Sequence, residues 1–262
     1  MENKLPSLPE SIRQRTENKP YRVDSTGLSG SVVILFEDTV LKIEPHTAQN
    51  DRTVEMMRWL RSKLPIPEVV EYAVENGNSY LLMTRLSGEM CCSPYYMEHS
   101  DEMVGLMAQG LRMLWSIDTT GCPRERSLQE ELSKALHRIR GGQLSREDVL
   151  ECGFETAEDM ADWLESHPVP YDPVLSHGDY CLPNLLLENG KISGFIDIGG
   201  IGIADRYSDI VDCHTSLKNN FNGFFGGKVY PDFDPDLLFR KLGMQPDKEK
   251  LRYYQLLNKA LY

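Results

Sequence analysis

Ser176-His177-Gly178-Asp179-Tyr180-Cys181-Leu182-Pro183-Asn184, followed by Gly194-Phe195-Ile196-Asp197-Ile198-Gly199, is the stretch on which the reading of this chain turns. It sets an Asp, then an Asn, then a second Asp in a short span, and what lies between them has its own logic. Val174-Leu175 is an apolar run that ends at His177-Gly178-Asp179. Pro183 fixes φ and removes a donor, so Tyr180 to Pro183 reads as a loop. Leu185-Leu186-Leu187 reads as a strand, Glu188-Asn189-Gly190-Lys191 as a hairpin turn, and Ile192 to Ile198 as the return strand. Such a hairpin closes its two ends on each other, so Asn184 and Asp197 are expected to be neighbours. Two hard oxygen donors then converge, which suits Mg²⁺. Asp179, just before the hairpin, is expected to take the proton of an attacking hydroxyl, while Asn184 and Asp197 hold the metal on nucleotide phosphates. The plainer alternative is a turn before a strand, with Asp and Asn there for turn chemistry. His177 is expected to orient the loop backbone rather than carry protons.

With these residues in view, the chain resembles the aminoglycoside 3'-phosphotransferases (kanamycin kinases) of the protein-kinase-like group. The resemblance rests on His177-Gly178-Asp179, Pro183-Asn184, Ser193-Gly194-Phe195-Ile196-Asp197 and Ala204-Asp205-Arg206-Tyr207-Ser208-Asp209-Ile210. It extends to Met56-Met57-Arg58-Trp59-Leu60, Lys63-Leu64-Pro65-Ile66-Pro67 and Trp115-Ser116-Ile117-Asp118, and so runs from about Tyr21 to the C-terminus. It implies an α+β, protein-kinase-like two-lobed fold with a small β-rich N-lobe and a larger helical C-lobe. The expected division is a nucleotide-binding lobe over residues 1–86 and a catalytic and substrate-binding lobe over residues 87–262. ATP is the expected nucleotide, with GTP open, and Mg²⁺ the metal.

Composition agrees with an ordinary globular chain. It has 262 residues, 40% hydrophobic and 26% charged. No apolar run approaches the roughly 20 residues of a membrane span, and the N-terminus lacks the apolar stretch of a secretory signal. A cytoplasmic protein with no membrane partner is expected, as a monomer or a weak dimer. The six cysteines form no Cys-x-x-Cys pair, and adjacent Cys91-Cys92 are too close for an ordinary bridge, so free thiols are expected. The net charge of −12 argues against a nucleic-acid partner. Nearly all of it falls after Ser87, where it would steer a cationic small-molecule substrate. Solubility alone would also explain an acidic surface.

Before Gly88 the pattern is strands around one helix. Ser31 to Phe36 and Val40 to Ile43 are β-rich and joined by Glu37-Asp38-Thr39; Asp51 to Lys63 has helical spacing; Tyr80 to Thr84 reads as a buried strand. Beyond it, helical patterns cover about 101–117, 128–140 and 157–165. Lys42, apolar-flanked in a strand, is costly unless paired. The resemblance makes it the lysine of the α/β-phosphates, with Glu55 on the following helix as its partner. Ser29, in Thr26-Gly27-Leu28-Ser29-Gly30-Ser31, is the expected phosphate contact. Met83 to Leu86 is expected to join the lobes, with Met83 and Leu86 offering backbone groups to the base.

Aminoglycosides are polycations, and carboxylates bind ammonium groups by charge-assisted hydrogen bonds. Ser145-Arg146-Glu147-Asp148-Val149-Leu150-Glu151 looks like the acidic loop of the family, so Glu147, Asp148 and Glu151 are candidates, with the terminal carboxylate of Tyr262. The same residues also read as an N-cap with acids in the first helical turn. The chain departs from the family where members end Leu-Leu-Asp-Glu-Phe-Phe: here stands Leu256-Leu257-Asn258-Lys259-Ala260-Leu261-Tyr262. It also lacks the usual Arg near Thr215, an acid near Asn219, and an Arg at Gly200. The metal and base residues are untouched by these changes. The expected activity is phosphorylation of an aminoglycoside hydroxyl, the 3'-OH by resemblance, conferring resistance. A kinase of another hydroxylated metabolite or antibiotic, and a nucleotide-binding protein without transfer, are the alternatives.

Overall fold

A computed structural model describes residues 7–24 and 31–261. Ser29 and Tyr262 lie outside the described residues. After α1 (Glu10–Thr16) come β1 (Arg22–Asp24), β2 (Val32–Leu35), β3 (Thr39–Pro45), α2 (Ala48–Leu60), β4 (Val69–Glu75), β5 (Asn78–Thr84) and β6 (Glu89–Met90). The helices α3 (Pro94–Glu98), α4 (Ser100–Trp115), α5 (Leu128–Arg140), α6 (Arg146–Glu151) and α7 (Ala157–Ser166) follow. Then come β7 (Pro173–Ser176), β8 (Leu185–Glu188), β9 (Lys191–Phe195), β10 (Gly202–Asp205), α8 (Arg206–Phe221), α9 (Leu237–Leu242) and α10 (Lys248–Leu261). The fold is α+β, with two compact units: residues 1–90 with 184–200, and residues 91–183 with 201–262.

The first unit is built on an antiparallel sheet of order β1-β2-β3-β5-β4. Two-residue periodicity puts alternate side chains on one face. Ile34 and Phe36, Leu41, and Tyr80 and Leu82 thereby meet in one buried cluster, closed by Ile12 of α1. The β2–β3 turn is cinched by the Phe36 N–H on the Thr39 carbonyl at 2.9 Å. Helix α2 starts three residues earlier than its apolar spacing suggests. Thr47 and Asn50 form a capping box, with the Thr47 N–H and hydroxyl both donating to Asn50 Oδ1. The unit also holds the β6-β8-β9 sheet. Its β8–β9 turn has Asn189 at φ 51° and Gly190 at φ 70°, the left-handed pair that a two-residue hairpin turn requires.

The second unit is mainly helical. Helix α4 buries Met103, Val104, Met107, Leu111 and Leu114 along one stripe and packs on α9. Helix α10 buries Tyr253, Tyr254, Leu256 and Leu257 against α5 and α8. A two-stranded antiparallel pair, β7 with β10, sets Ser176 opposite Gly202 at the start of the Asp179 segment. All six cysteines are free. No helix among the described residues is long and apolar enough to cross a membrane.

Candidate active site

In the first unit the hairpin closes as its sequence requires. Leu185 pairs with Phe195, and the Ile196 N–H donates to the Asn184 carbonyl at 3.0 Å. Asn184 is buried at 8% exposure, whereas the Asp197 carboxylate stands 56% exposed. The return strand stops at Phe195 rather than reaching Ile198. Asp197 has φ 52°, which no extended strand accommodates, and the chain turns into a short 3-10 segment, Ile198–Gly200. A non-glycine residue held there costs on the order of 1 kcal/mol or more and is concentrated at functional positions. Gln49 of α2 donates to the Gly199 carbonyl and ties this turn to the helix.

Lys42 of β3 reaches the same place. Its Nζ lies 2.9 Å from Glu44 Oε1 and 3.7 Å from Asp197 Oδ1. The expected partner, Glu55, is a correction: its side chain is exposed, and Lys42 pairs with Glu44 and Asp197 instead. Helix periodicity explains this. Val54, Met56, Met57 and Leu60 form the buried stripe of α2, and at about 100° per residue Glu55 points to the opposite side.

Asn184 and Asp197 fit Mg²⁺. They are two hard oxygen donors at the ends of one hairpin, and Mg²⁺ commonly takes one or two protein ligands with phosphates and waters completing six. No group of three or more His, Cys, Asp or Glu side chains suited to a metal occurs among the described residues.

Of the stretch expected to meet the base, Met83 lies inside the ladder, opposite Val40 on β3 and Val69 on β4, so the sheet uses its main chain. Leu86 lies past the strand end, and its side chain presses on Gly194: a Cβ built there would meet Leu86 and sit 2.8 Å from the Pro65 carbonyl oxygen.

In the second unit Asp179 is exposed, and the backbone before it is rigidly held. Asp209 of α8, fully buried, accepts from the Ser176 hydroxyl (2.8 Å), the His177 N–H (2.8 Å) and the Gly178 N–H (2.9 Å). Gly178 at φ 79° makes that last bond possible. The Tyr180 hydroxyl donates to the Met107 carbonyl at 2.8 Å, and the Leu182 N–H donates to Ser216. His177 is buried with its ring edge-on to Tyr180. Asp205 caps α8 and is ion-paired at 2.8 Å with buried Lys250.

The structure also singles out Asp212, which the sequence reading passed over. It lies one helical turn from Asp209 on α8 and accepts from Asn258 Nδ2 at 2.8 Å and from the Tyr180 N–H. Burial, and then the charges of Asp209 and Asp179, push its carboxyl up to about 8, with Arg126 opposing. An acid in the middle of an otherwise polar-apolar helix pattern, Ile210-Val211-Asp212-Cys213, was the available signal.

The acidic segment is engaged internally. Asp148 closes the capping box of α6 with Ser145 and lies 2.5 Å from Lys259 Nζ, and Glu151 lies 3.5 Å from the same nitrogen. The Lys259 hydrogen bond, then that of Ser145, holds the Asp148 carboxyl at about 2. As carboxylates for a cation, Asp148 and Glu151 are thus already matched by Lys259, and exposed Glu147 is the unmatched one of the three.

The sequence matches the Phosphotransferase enzyme family over residues 11–252. It is 34% identical over 213 residues to an aminoglycoside 3'-phosphotransferase of Enterococcus faecalis, covering 79% of this chain and 77% of that one. To an aminoglycoside 3'-phosphotransferase of Niallia circulans it is 33% identical over 258 residues, 94% of each chain. Among solved structures, aminoglycoside-3'-phosphotransferase of type VIII superposes with a TM-score of 0.77 at 25% identity, covering 95% of this chain and 96% of that one.

Proposed function

Because the chain belongs to the phosphotransferase enzyme family, and within it to the aminoglycoside 3'-phosphotransferases, we propose that it transfers the γ-phosphoryl group of ATP to the 3'-hydroxyl of an aminoglycoside and so confers resistance, acting in the cytoplasm. The observation that carries this reading is the meeting of Lys42 with Asp197 at 3.7 Å where the hairpin also brings up Asn184. A phosphate-binding cation and a metal-binding pair are needed together for one chemistry, phosphoryl transfer.

In this reading Lys42 binds the α- and β-phosphates, and Asn184 and Asp197 hold Mg²⁺. When bound, the metal would neutralise charge on the phosphate oxygens. Ser29 contributes a further phosphate contact, and the main chain at Leu86, past the end of β5, takes the base, since that of Met83 is used by the sheet. Asp179 orients the acceptor hydroxyl and receives its proton as the oxygen bonds to the γ-phosphorus and the bond to the β–γ bridging oxygen breaks. Positioning and charge stabilisation supply most of the rate. Asp209 serves indirectly, by fixing the backbone from Ser176 to Gly178. Residues 1–86 would then serve the nucleotide and residues 87–262 catalysis and the acceptor, with the metal pair drawn from the hairpin that packs with the first unit. Glu147, and the terminal carboxylate of Tyr262, are the proposed contacts to substrate ammonium groups.

Asp179→Ala tests the chemistry. Turnover should fall by at least about a thousandfold, while ATP affinity measured by calorimetry stays within about twofold. Turnover near that of the parent enzyme would contradict the assignment. One observation favours a second reading, a kinase of another hydroxylated small molecule: Lys259 takes up Asp148 and Glu151, leaving fewer carboxylates for a polycation.

A further inference from the structure

We propose that Glu44 is the residue that positions Lys42 for the nucleotide phosphates, in the place that sequence logic gives to a carboxylate of α2. This rests on Lys42 being the phosphate-binding lysine. Glu44 lies two residues beyond Lys42 on β3, so the two side chains share a face of the sheet. Their 2.9 Å contact is the shorter of the two ion pairs of Lys42.

Glu44 is itself held on both oxygens. Ser31 Oγ donates to Oε1 at 2.8 Å, and Asn50 Nδ2 donates to Oε2 at 3.0 Å. Asn50 in turn is fixed by the Thr47 cap. Strand and helix are therefore joined by a chain of defined bonds: Lys42, Glu44, Asn50, Thr47. The helix contributes a neutral amide to this chain, and the negative charge comes from the strand. A carboxylate with three donors around it has little freedom to rotate, so it fixes the ammonium with it.

The second partner, Asp197, cannot do the same work. It is more than half exposed, and in the proposed function its charge goes to the metal. Glu44 is then the carboxylate that remains to Lys42. Removing it would leave Lys42 to fall onto Asp197, where it would compete with the metal.

The test compares Glu44→Gln, Glu44→Asp and Glu55→Gln with Lys42→Met in the full chain. Each would be assayed for KM of ATP, KM of acceptor, kcat, ATP affinity by calorimetry and Tm. Glu44→Gln should raise the KM and Kd of ATP about tenfold, equivalent to about 1.4 kcal/mol, with the acceptor KM and Tm nearly unchanged. Glu44→Asp should recover part of the loss, and Glu55→Gln should behave as the parent. Unchanged ATP parameters in Glu44→Gln, or an equal loss in Glu55→Gln, would overturn the proposal while leaving the role of Lys42 intact. A Lys42→Met variant that binds ATP and turns over normally would overturn the phosphate-lysine reading itself, and this proposal with it.

Discussion

Asp212 is the most informative titratable residue in the helical unit. Its carboxyl is raised to about 8 by burial and by Asp209 and Asp179, with Arg126 as the opposing charge and Asn258 and the Tyr180 N–H as donors. The folded state therefore binds its proton more tightly than the unfolded chain does, where an aspartate titrates near 4. The stability that proton brings is complete below that value and is lost as pH rises through about 8. Asp212→Asn removes the titration. Relative to the parent, the variant should gain about 3 kcal/mol between pH 5.5 and pH 8.5 in urea unfolding. An equal difference at both pH values would contradict it. Residues of this kind are hard to find from sequence: the run Ile210-Val211-Asp212-Cys213 sets an acid among apolar neighbours, but the groups that act on it, Tyr180 and Asn258, are far away in the chain.

At the scale of elements, capping and turn chemistry are most of what the sequence makes legible. The β8–β9 hairpin follows from Asn189-Gly190, and α5 follows from its apolar spacing over Leu128–Arg140. The N-terminus of α2 was the harder boundary, since its cap is a Thr–Asn box and not the more familiar acid three residues on. Asn76-Gly77, at φ 52° and 76°, turns β4 into β5 by the same chemistry as Asn189-Gly190. Position after the strand points to a helix carboxylate as the partner of Lys42, whereas α2 turns Glu55 outward and offers Asn50 to Glu44, the carboxylate that Lys42 pairs with. The Asp205–Lys250 pair joins the cap of α8 to α10 with side-chain exposures of 0% and 7%. Asp205 also accepts from the Tyr207 and Asp172 N–H groups, and removing its cation would leave this buried side chain without its ion-pair partner. Lys250→Met should therefore destabilise the protein by about 3–5 kcal/mol in chemical denaturation. A loss under about 1 kcal/mol would mean that those N–H groups alone satisfy the carboxylate.

At the scale of the molecule, the two-lobed α+β class was readable from the change in character at Gly88, β-rich before and helical after. Chain order, however, cannot reveal that residues 184–200 pack with the first unit. The proposed metal ligands thus travel with the sheet that carries Lys42, although they follow Asp179 closely in sequence. Lys259 pairs with Asp148 and Glu151, so the acceptor is where experiment bears most on the proposed function. The deciding measurement is ADP release with Mg²⁺-ATP across aminoglycosides that have or lack a 3'-hydroxyl. Turnover confined to acceptors bearing that hydroxyl is the predicted result. Equal turnover with 3'-deoxy acceptors, or none above the acceptor-free rate on any aminoglycoside, would contradict the proposed function.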